Sequence, residues 1–158
     1  MINEPFPFEP GYYSHKFHRA GVRYEVGVSI QSGDIVWLNG PFPCGHFADQ
    51  KIAKEEGLED AMDPGERYLC DGVYQHLASS ETPNGLNNYD QYMKKVARAQ
   101  HETVNGRFKQ WGALRQIFRH DRSKHGVVMS AIVNITQIEL EEESPLFPIY
   151  YDDSYDVV

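Results

Sequence analysis

The sequence predicts a mixed α/β fold in which helices pack on a small sheet. Two observations predict it: a strand hairpin comes early in the chain, and two long helical patterns come late. Residues 22–30 and 35–38 have the β-branched and aromatic content of strands, and residues 31–34 form the turn between them. The length of 158 residues and a hydrophobic content of 41% suit one domain with its own core.

The remaining elements follow from turn residues and periodicity. Residues 1–11, with three prolines, predict an extended connector, and residues 39–45 predict a loop. Residues 49–58 predict a short helix that Asp49 caps, and residues 68–70 a short buried strand that ends at Asp71. Residues 79–88 read as a loop. Residues 89–118 predict one long helix, broken near Gly106 or Gly112. Residues 124–142 predict another, because apolar residues recur in it at helical spacing: Val127, Val128, Ala131, Ile135 and Ile138.

Charge is distributed unevenly along the chain. The formal net charge is −8, yet residues 91–125 hold nine Lys or Arg against two acids, a net +7, and residues 139–158 hold seven acids and no Lys or Arg. A local basic block is typical of a phosphate-binding surface, and a solvated helix face is the competing explanation. We therefore predict one domain over residues 1–142 and an acidic, loosely ordered tail over residues 143–158.

Several classes of protein are disfavoured by the sequence. It contains no apolar run of membrane-spanning length and no signal-peptide pattern, so we expect a soluble intracellular protein without a membrane partner. Cys44 and Cys70 form no CxxC pair, and the seven histidines lack metal-site spacing, so a zinc site is not expected.

Two carboxylates are the candidate catalytic and metal-binding residues. Asp71 follows the short strand, and Glu102 lies in the long helix with Lys95, Arg98, Asn105 and Lys109 on its face. The opposite face carries the residues that should pack on a sheet: Ala97, His101, Val104, Phe108 and Trp111. Acids surrounded by cations suggest a divalent metal acting on a phosphodiester. The alternatives are ion pairs of Glu102 with Arg98 and Lys109, and an ordinary turn role for Asp71.

Several motifs occur in an order that resembles a known family. They are residues 12–17 (Tyr-Tyr-Ser-His-Lys-Phe), 22–26, 33–37, 39–45, 98–112 and 118–125, together with Asp49. This series is similar to the DDE superfamily endonucleases of eukaryotic DNA transposons, and in particular to the Harbinger-like type. The resemblance covers roughly residues 3–140.

The resemblance implies an RNase H-like fold in which two Asp and one Glu hold a pair of Mg²⁺ (or Mn²⁺) ions. On that pattern Asp71 is the second acid and Glu102 the third. The first Asp belongs to an Asp-Gly-Thr strand that precedes the stretch beginning here at Ile2, so we expect the first catalytic strand to be missing from this chain. The family also has Gly where this sequence has Val73.

The resemblance further implies two-metal cleavage and strand transfer on DNA. The cations Lys95, Arg98, Arg107 and Lys109 would contact the phosphate backbone, a separate DNA-binding protein would read the sequence, and the location would be the nucleus. With one acid missing, we expect little or no cleavage and weak binding of a single Mg²⁺. The alternatives are a catalytically dead DNA- or protein-binding module and a poorly folding gene remnant.

Overall fold

The computed structural model describes residues 1–47, 51, 52, 55, 57–70, 80, 81 and 88–150. Over these residues the fold is mixed α/β, as the sequence predicts, with six strands paired two by two and four α-helices. The strands are β1 (Tyr13–Ser14), β2 (Arg19–Ala20), β3 (Val22–Val28), β4 (Ile35–Pro43), β5 (Tyr68–Leu69) and β6 (Ser80–Glu81). The helices are α1 (Leu58–Ala61), α2 (Asn88–Phe108), α3 (Gly112–Arg115) and α4 (His125–Glu142).

The predicted hairpin is confirmed as the antiparallel pair β3–β4, but the predicted loop over residues 39–45 is wrong. Strand β4 continues to Pro43, and its register with β3 shifts twice. One shift places Gly40 and Pro41 opposite Tyr24, so the extra residue forms a β-bulge. Proline is tolerated at a bulge because no ladder hydrogen bond is required there. The Gly-Pro sequence therefore marks a bulge in this strand rather than its end.

The other predicted strands and loops differ in detail. The strand at residues 68–70 is confirmed as β5, which is half-buried rather than buried and pairs in parallel with β6. Part of the predicted loop over residues 79–88 is thus a strand. The predicted N-terminal connector is not extended throughout, because it ends in a short 3-10 helix, Pro10–Tyr12. Ile2 within it is buried: its N–H donates to the Ala20 carbonyl, and it bridges to Phe118. The prediction that Asp49 caps a helix falls outside the described residues.

The predicted long helix consists of two helices. Helix α2 ends at Phe108. The Gln110 and Trp111 N–H groups then bond three residues back to the Arg107 and Phe108 carbonyls in a tighter turn, and α3 begins directly after Trp111. The break lies between the two glycines named from the sequence, Gly106 and Gly112. Helix α4 is confirmed within one residue of its predicted start.

The main core lies where α2, α4 and the β3–β4 hairpin meet. Its buried side chains are Val104, Phe108, Met129, Ile132, Val133 and Leu140. Each contributes about 1.5–3 kcal/mol by leaving water. Gln137 of α4 fixes the hairpin turn to this core, because its amide accepts from the Ile35 N–H and donates to Asp34, both at 2.8 Å. Hydrogen bonds with Ser32 first, and with Gln137 second, lower the pKa of the Asp34 carboxyl.

The described part of the predicted tail, residues 143–150, has no helix or strand but is attached to the domain. The Arg107 guanidinium donates to the Ser144 carbonyl at 2.6 Å, and the Gln100 amide donates to the Phe147 carbonyl at 2.7 Å. Leu146 packs against the main core. This segment therefore runs back along α2, from its C-terminal end towards its middle.

Candidate functional site

A cleft of about 740 Å³ lies between the β3–β4 hairpin, β5 and α2. Strand β3 lines one side from Glu25 onward, and residues 66–70, which include β5, line the other. Helix α2 contributes Ala97, Arg98 and the stretch from Gln100 to Glu102. The cleft therefore collects residues from three separate parts of the chain.

Glu102 is held in this cleft by the amphipathic pattern of α2. Val104 and Phe108 are buried in the core on the opposite face, as predicted, so the side chain of Glu102 is exposed. Ala97 and His101, predicted on that opposite face, instead line the cleft together with Glu102. Arg98, one turn earlier on the same face, is exposed and lines the same cleft. Glu102 makes no ion pair with Arg98 or Lys109, all three of which belong to the described part of the chain. The simple ion-pair explanation for Glu102 is thus not realised in this structure.

Asp71 and its neighbour Val73 lie outside the described residues. The residue that precedes Asp71, Cys70, lines the cleft directly after β5. Tyr68 in β5 donates a hydrogen bond of 3.4 Å to Glu59 of α1, and burial, with the charge of Glu59 next in size, raises the pKa of its phenol. The β5 strand is therefore fixed to α1 on one side while its end reaches the cleft.

The four predicted phosphate-binding cations divide into two groups. Lys95, Arg98 and Lys109 are exposed. Helical spacing places Lys95 and Arg98 on the Glu102 face of α2, and Lys109 follows its last residue, Phe108, with an N–H that still bonds the Asn105 carbonyl. Arg107 lies on another side of the helix, where its guanidinium holds the Ser144 carbonyl and comes within 3.6 Å of the Glu139 carboxylate. Only 14% of the Arg107 side chain is exposed, so its main contacts are internal.

His101 and Glu25 contribute to the cleft in ways that the helical pattern alone did not specify. The His101 imidazole hydrogen-bonds the Val26 carbonyl at 3.1 Å and Asn105 at 3.2 Å, which couples α2 to β3. Glu25 accepts from the Trp37 indole N–H at 2.8 Å. Trp37 lies on β4 beside the cleft, whereas Trp111, predicted to pack on the sheet, is 39% exposed after the end of α2.

Two further acids, Glu25 and Glu66, were missed in the sequence although they line the same cleft as Glu102. The signal for Glu25 was its position in a strand whose other cleft residues are apolar. Across the described ranges, no three His, Cys, Asp or Glu side chains are grouped so that they could hold a metal ion. Of the two proposed ligands, these ranges include Glu102 alone.

No described helix combines the length and apolar content needed to cross a bilayer.

Comparisons with known proteins assign neither a family nor a function to the chain. No protein-family profile matches the chain, and neither the curated proteins nor the solved structures give a significant match.

Proposed function

We propose that this chain is the catalytic-core portion of a Harbinger-like DDE endonuclease or transposase with an RNase H-like fold. In the intact parent it would cleave and join DNA phosphodiesters with divalent metal. The observation that carries the proposal is the cleft: Glu102 and the end of β5, which leads directly into Asp71, line the same concave surface. Such chemistry requires acids that converge from separate elements, and this is the arrangement that we propose for Asp71 and Glu102.

The geometry around β3 supports an RNase H-like sheet with one more strand. The Gly21 carbonyl accepts from Cys44, which continues β4, whereas the neighbouring Ala20 carbonyl accepts from Ile2. Since successive carbonyls of an extended chain point to opposite edges, Ile2 lies on the edge away from β4. In an RNase H-like sheet, a further strand would pair with β3 along that edge. We propose that the strand carrying the first Asp occupies this position.

The donor chemistry suits the proposed metal. Mg²⁺ and Mn²⁺ prefer carboxylate oxygens, which Asp71 and Glu102 supply. When bound, the metal would activate the attacking hydroxyl or water and stabilise the leaving oxygen. Lys95, Arg98 and Lys109 would hold DNA phosphates beside Glu102 without reading the base sequence, because a cation contacting a phosphate recognises only the backbone.

The family pattern requires a third carboxylate from an Asp-Gly-Thr strand, and these 158 residues contain no Asp-Gly-Thr. We therefore expect the 158-residue polypeptide to bind DNA but to cleave it little or not at all in Mg²⁺ or Mn²⁺.

The DNA-binding part of the proposal is tested with a labelled duplex and fluorescence anisotropy. We compare the wild type with the triple variant Lys95→Gln, Arg98→Gln, Lys109→Gln. Removing three phosphate contacts should lower the affinity by about tenfold or more at low salt. It should also reduce the slope of log affinity against log salt by about 2.7.

The matched control changes the same net charge elsewhere: Lys16→Gln, Arg19→Gln and Lys51→Gln, all exposed. Equal losses in the two triple variants, or no binding by the wild type, would contradict the proposed surface. Affinity that persists unchanged in EDTA and in Asp71→Asn would instead favour the second candidate, a DNA-binding module without catalysis.

A further inference from the structure

The outward face of α4 carries an unexpected apolar stripe. Val127, Ala131, Ile135 and Ile138 recur every three or four residues, and all four are exposed; Val127 is 72% exposed and Ile138 is 59% exposed. The core is packed by other residues of α4, among them Met129, Ile132 and Val133. The stripe that predicts the helix from sequence is thus not the stripe that faces the core.

Helix α4 is apolar on both faces over most of its length. From His125 to Gln137 it contains no Lys, Arg, Asp or Glu. A surface helix ordinarily places charged residues on its outer side, so an exposed apolar stripe without charges is typical of a helix face that packs against a partner. The stripe runs for about 16 Å, from Val127 to Ile138, which is enough for a helix–helix contact.

The ends of the stripe carry opposite charges. Lys124 lies on the same face one turn before Val127, and Glu142 lies one turn after Ile138; both are exposed. Each charge is at the helix end where the backbone dipole disfavours it, since a cation is unfavourable at an N-terminus and an anion at a C-terminus. A partner that places an anion beside Lys124 and a cation beside Glu142 would offset both unfavourable interactions with the helix dipole.

We propose that α4 pairs with α4 of a second copy of this chain in an antiparallel, two-fold symmetric dimer. In the register centred at the level of Val133, Lys124 of one copy meets Glu142 of the other. Ala131 then faces Ile135, so a small side chain lies opposite a large one, and Val127 lies beside Ile138. The face is therefore complementary to itself in both shape and charge, which an isologous interface requires. This inference does not depend on the proposed chemistry.

The dimer is expected to be weak, because one helix pair is smaller than the roughly 800 Å² per partner of a standard interface. Sedimentation velocity of the 158-residue protein between about 5 and 500 µM should show the mass average rising from monomer towards dimer. Ile135→Asp and Ile138→Asp should each weaken association by about tenfold or more. Ser130→Asp, on the exposed polar flank of the same helix, is the matched control and should leave it within about twofold.

Charge reversal tests the register itself. Lys124→Glu and Glu142→Lys should each weaken association, since each places like charges opposite one another twice in the dimer. The double variant Lys124→Glu, Glu142→Lys should restore association to near the wild-type level. Circular dichroism and the thermal midpoint establish that each variant is folded. The proposed dimer is contradicted if the protein is a monomer at every concentration, or if Ile135→Asp and Ile138→Asp leave the association unchanged. The antiparallel register is contradicted if the double variant associates no better than the single variants.

Discussion

His125 begins α4 and is only 3% exposed, although its side chain is ionisable. Its ring stacks on Tyr24 with a centroid separation of 5.6 Å and hydrogen-bonds the Tyr24 hydroxyl at 2.7 Å. Phe118 packs edge-on against it at 4.8 Å. Burial first, and the charged amino terminus second, lower the pKa of His125. The folded protein therefore holds this imidazole in its neutral form at a pH where an exposed histidine would begin to take up a proton.

Stability should therefore fall on mild acidification. At a pH well above 6.5, the ordinary pKa of histidine, His125 is neutral in both the folded and the unfolded chain. As the pH falls through that value, the unfolded chain takes up a proton that the folded chain does not, so the free energy of unfolding decreases.

We expect the thermal midpoint to drop between about pH 7.5 and pH 5.5, measured by circular dichroism. The drop should be smaller in His125→Gln, which cannot titrate, than in the wild type. His15→Gln, an exposed histidine in the same chain, is the control and should keep the full pH dependence. Identical pH profiles for His125→Gln and the wild type would contradict this explanation.

Among the secondary-structure elements, the bulged strand β4 shapes the hairpin beneath α4. Gly40 has a φ of +123°, and a Cβ atom at this position would lie 2.8 Å from the Arg23 carbonyl oxygen and 2.9 Å from the Tyr24 ring. The close approach of β3 to β4 at the bulge thus requires glycine. Tyr24, opposite the bulge, is the residue that stacks on His125.

Gly40→Ala should destabilise the protein by about 2 kcal/mol or more, because both the backbone angle and the contact are unfavourable. Gly106→Ala is the matched control, since Gly106 lies within α2 and has no neighbouring atom within 4 Å of the added methyl group. That substitution should stabilise the protein by about 0.5–1 kcal/mol through helix propensity. Urea denaturation measures the free energy of unfolding of both variants. A loss of stability in Gly40→Ala no larger than that of an average surface substitution would argue against the requirement for glycine at the bulge.

The sequence predicts elements well where one pattern dominates and poorly where two interactions compete. Helix α4 was predicted because its apolar residues recur at helical spacing, but periodicity alone could not tell the outward stripe of Val127 and Ile138 from the inward one of Met129 and Ile132. The end of β4 was missed because Gly40-Pro41 normally signals a loop, and only the pairing with β3 shows a bulge.

The candidate site was likewise predictable from sequence only where a local pattern decides the position of a residue. The exposed position of Glu102 followed from the helical pattern of α2, since Val104 and Phe108 had to face the core. Glu25 and Glu66 share the cleft because segments that are distant in the sequence come together, and no local sequence pattern encodes such contacts. The internal role of Arg107 depends likewise on the return of residues 144–147 along α2.

At the scale of the whole molecule, two faces have separate proposed roles. The cleft between β3, β5 and α2 presents Glu102 and Arg98, and the outward face of α4 presents the self-complementary stripe. The main core, where α2 and α4 meet the hairpin, lies between them. In a two-fold dimer through α4, each copy would therefore contribute its own cleft rather than half of a shared one.

The proposed binding of one divalent metal by Asp71 and Glu102 is tested most directly by Mn²⁺ titration followed by electron paramagnetic resonance. The wild-type 158-residue protein should bind a single Mn²⁺ weakly, and Asp71→Asn and Glu102→Gln should each weaken that binding by about tenfold or more. Glu143→Gln, an exposed acid beyond the end of α4, should leave it unchanged. No Mn²⁺ binding by the wild type, or equal binding by the wild type and both variants, would contradict the metal site and with it the proposed nuclease ancestry of the cleft.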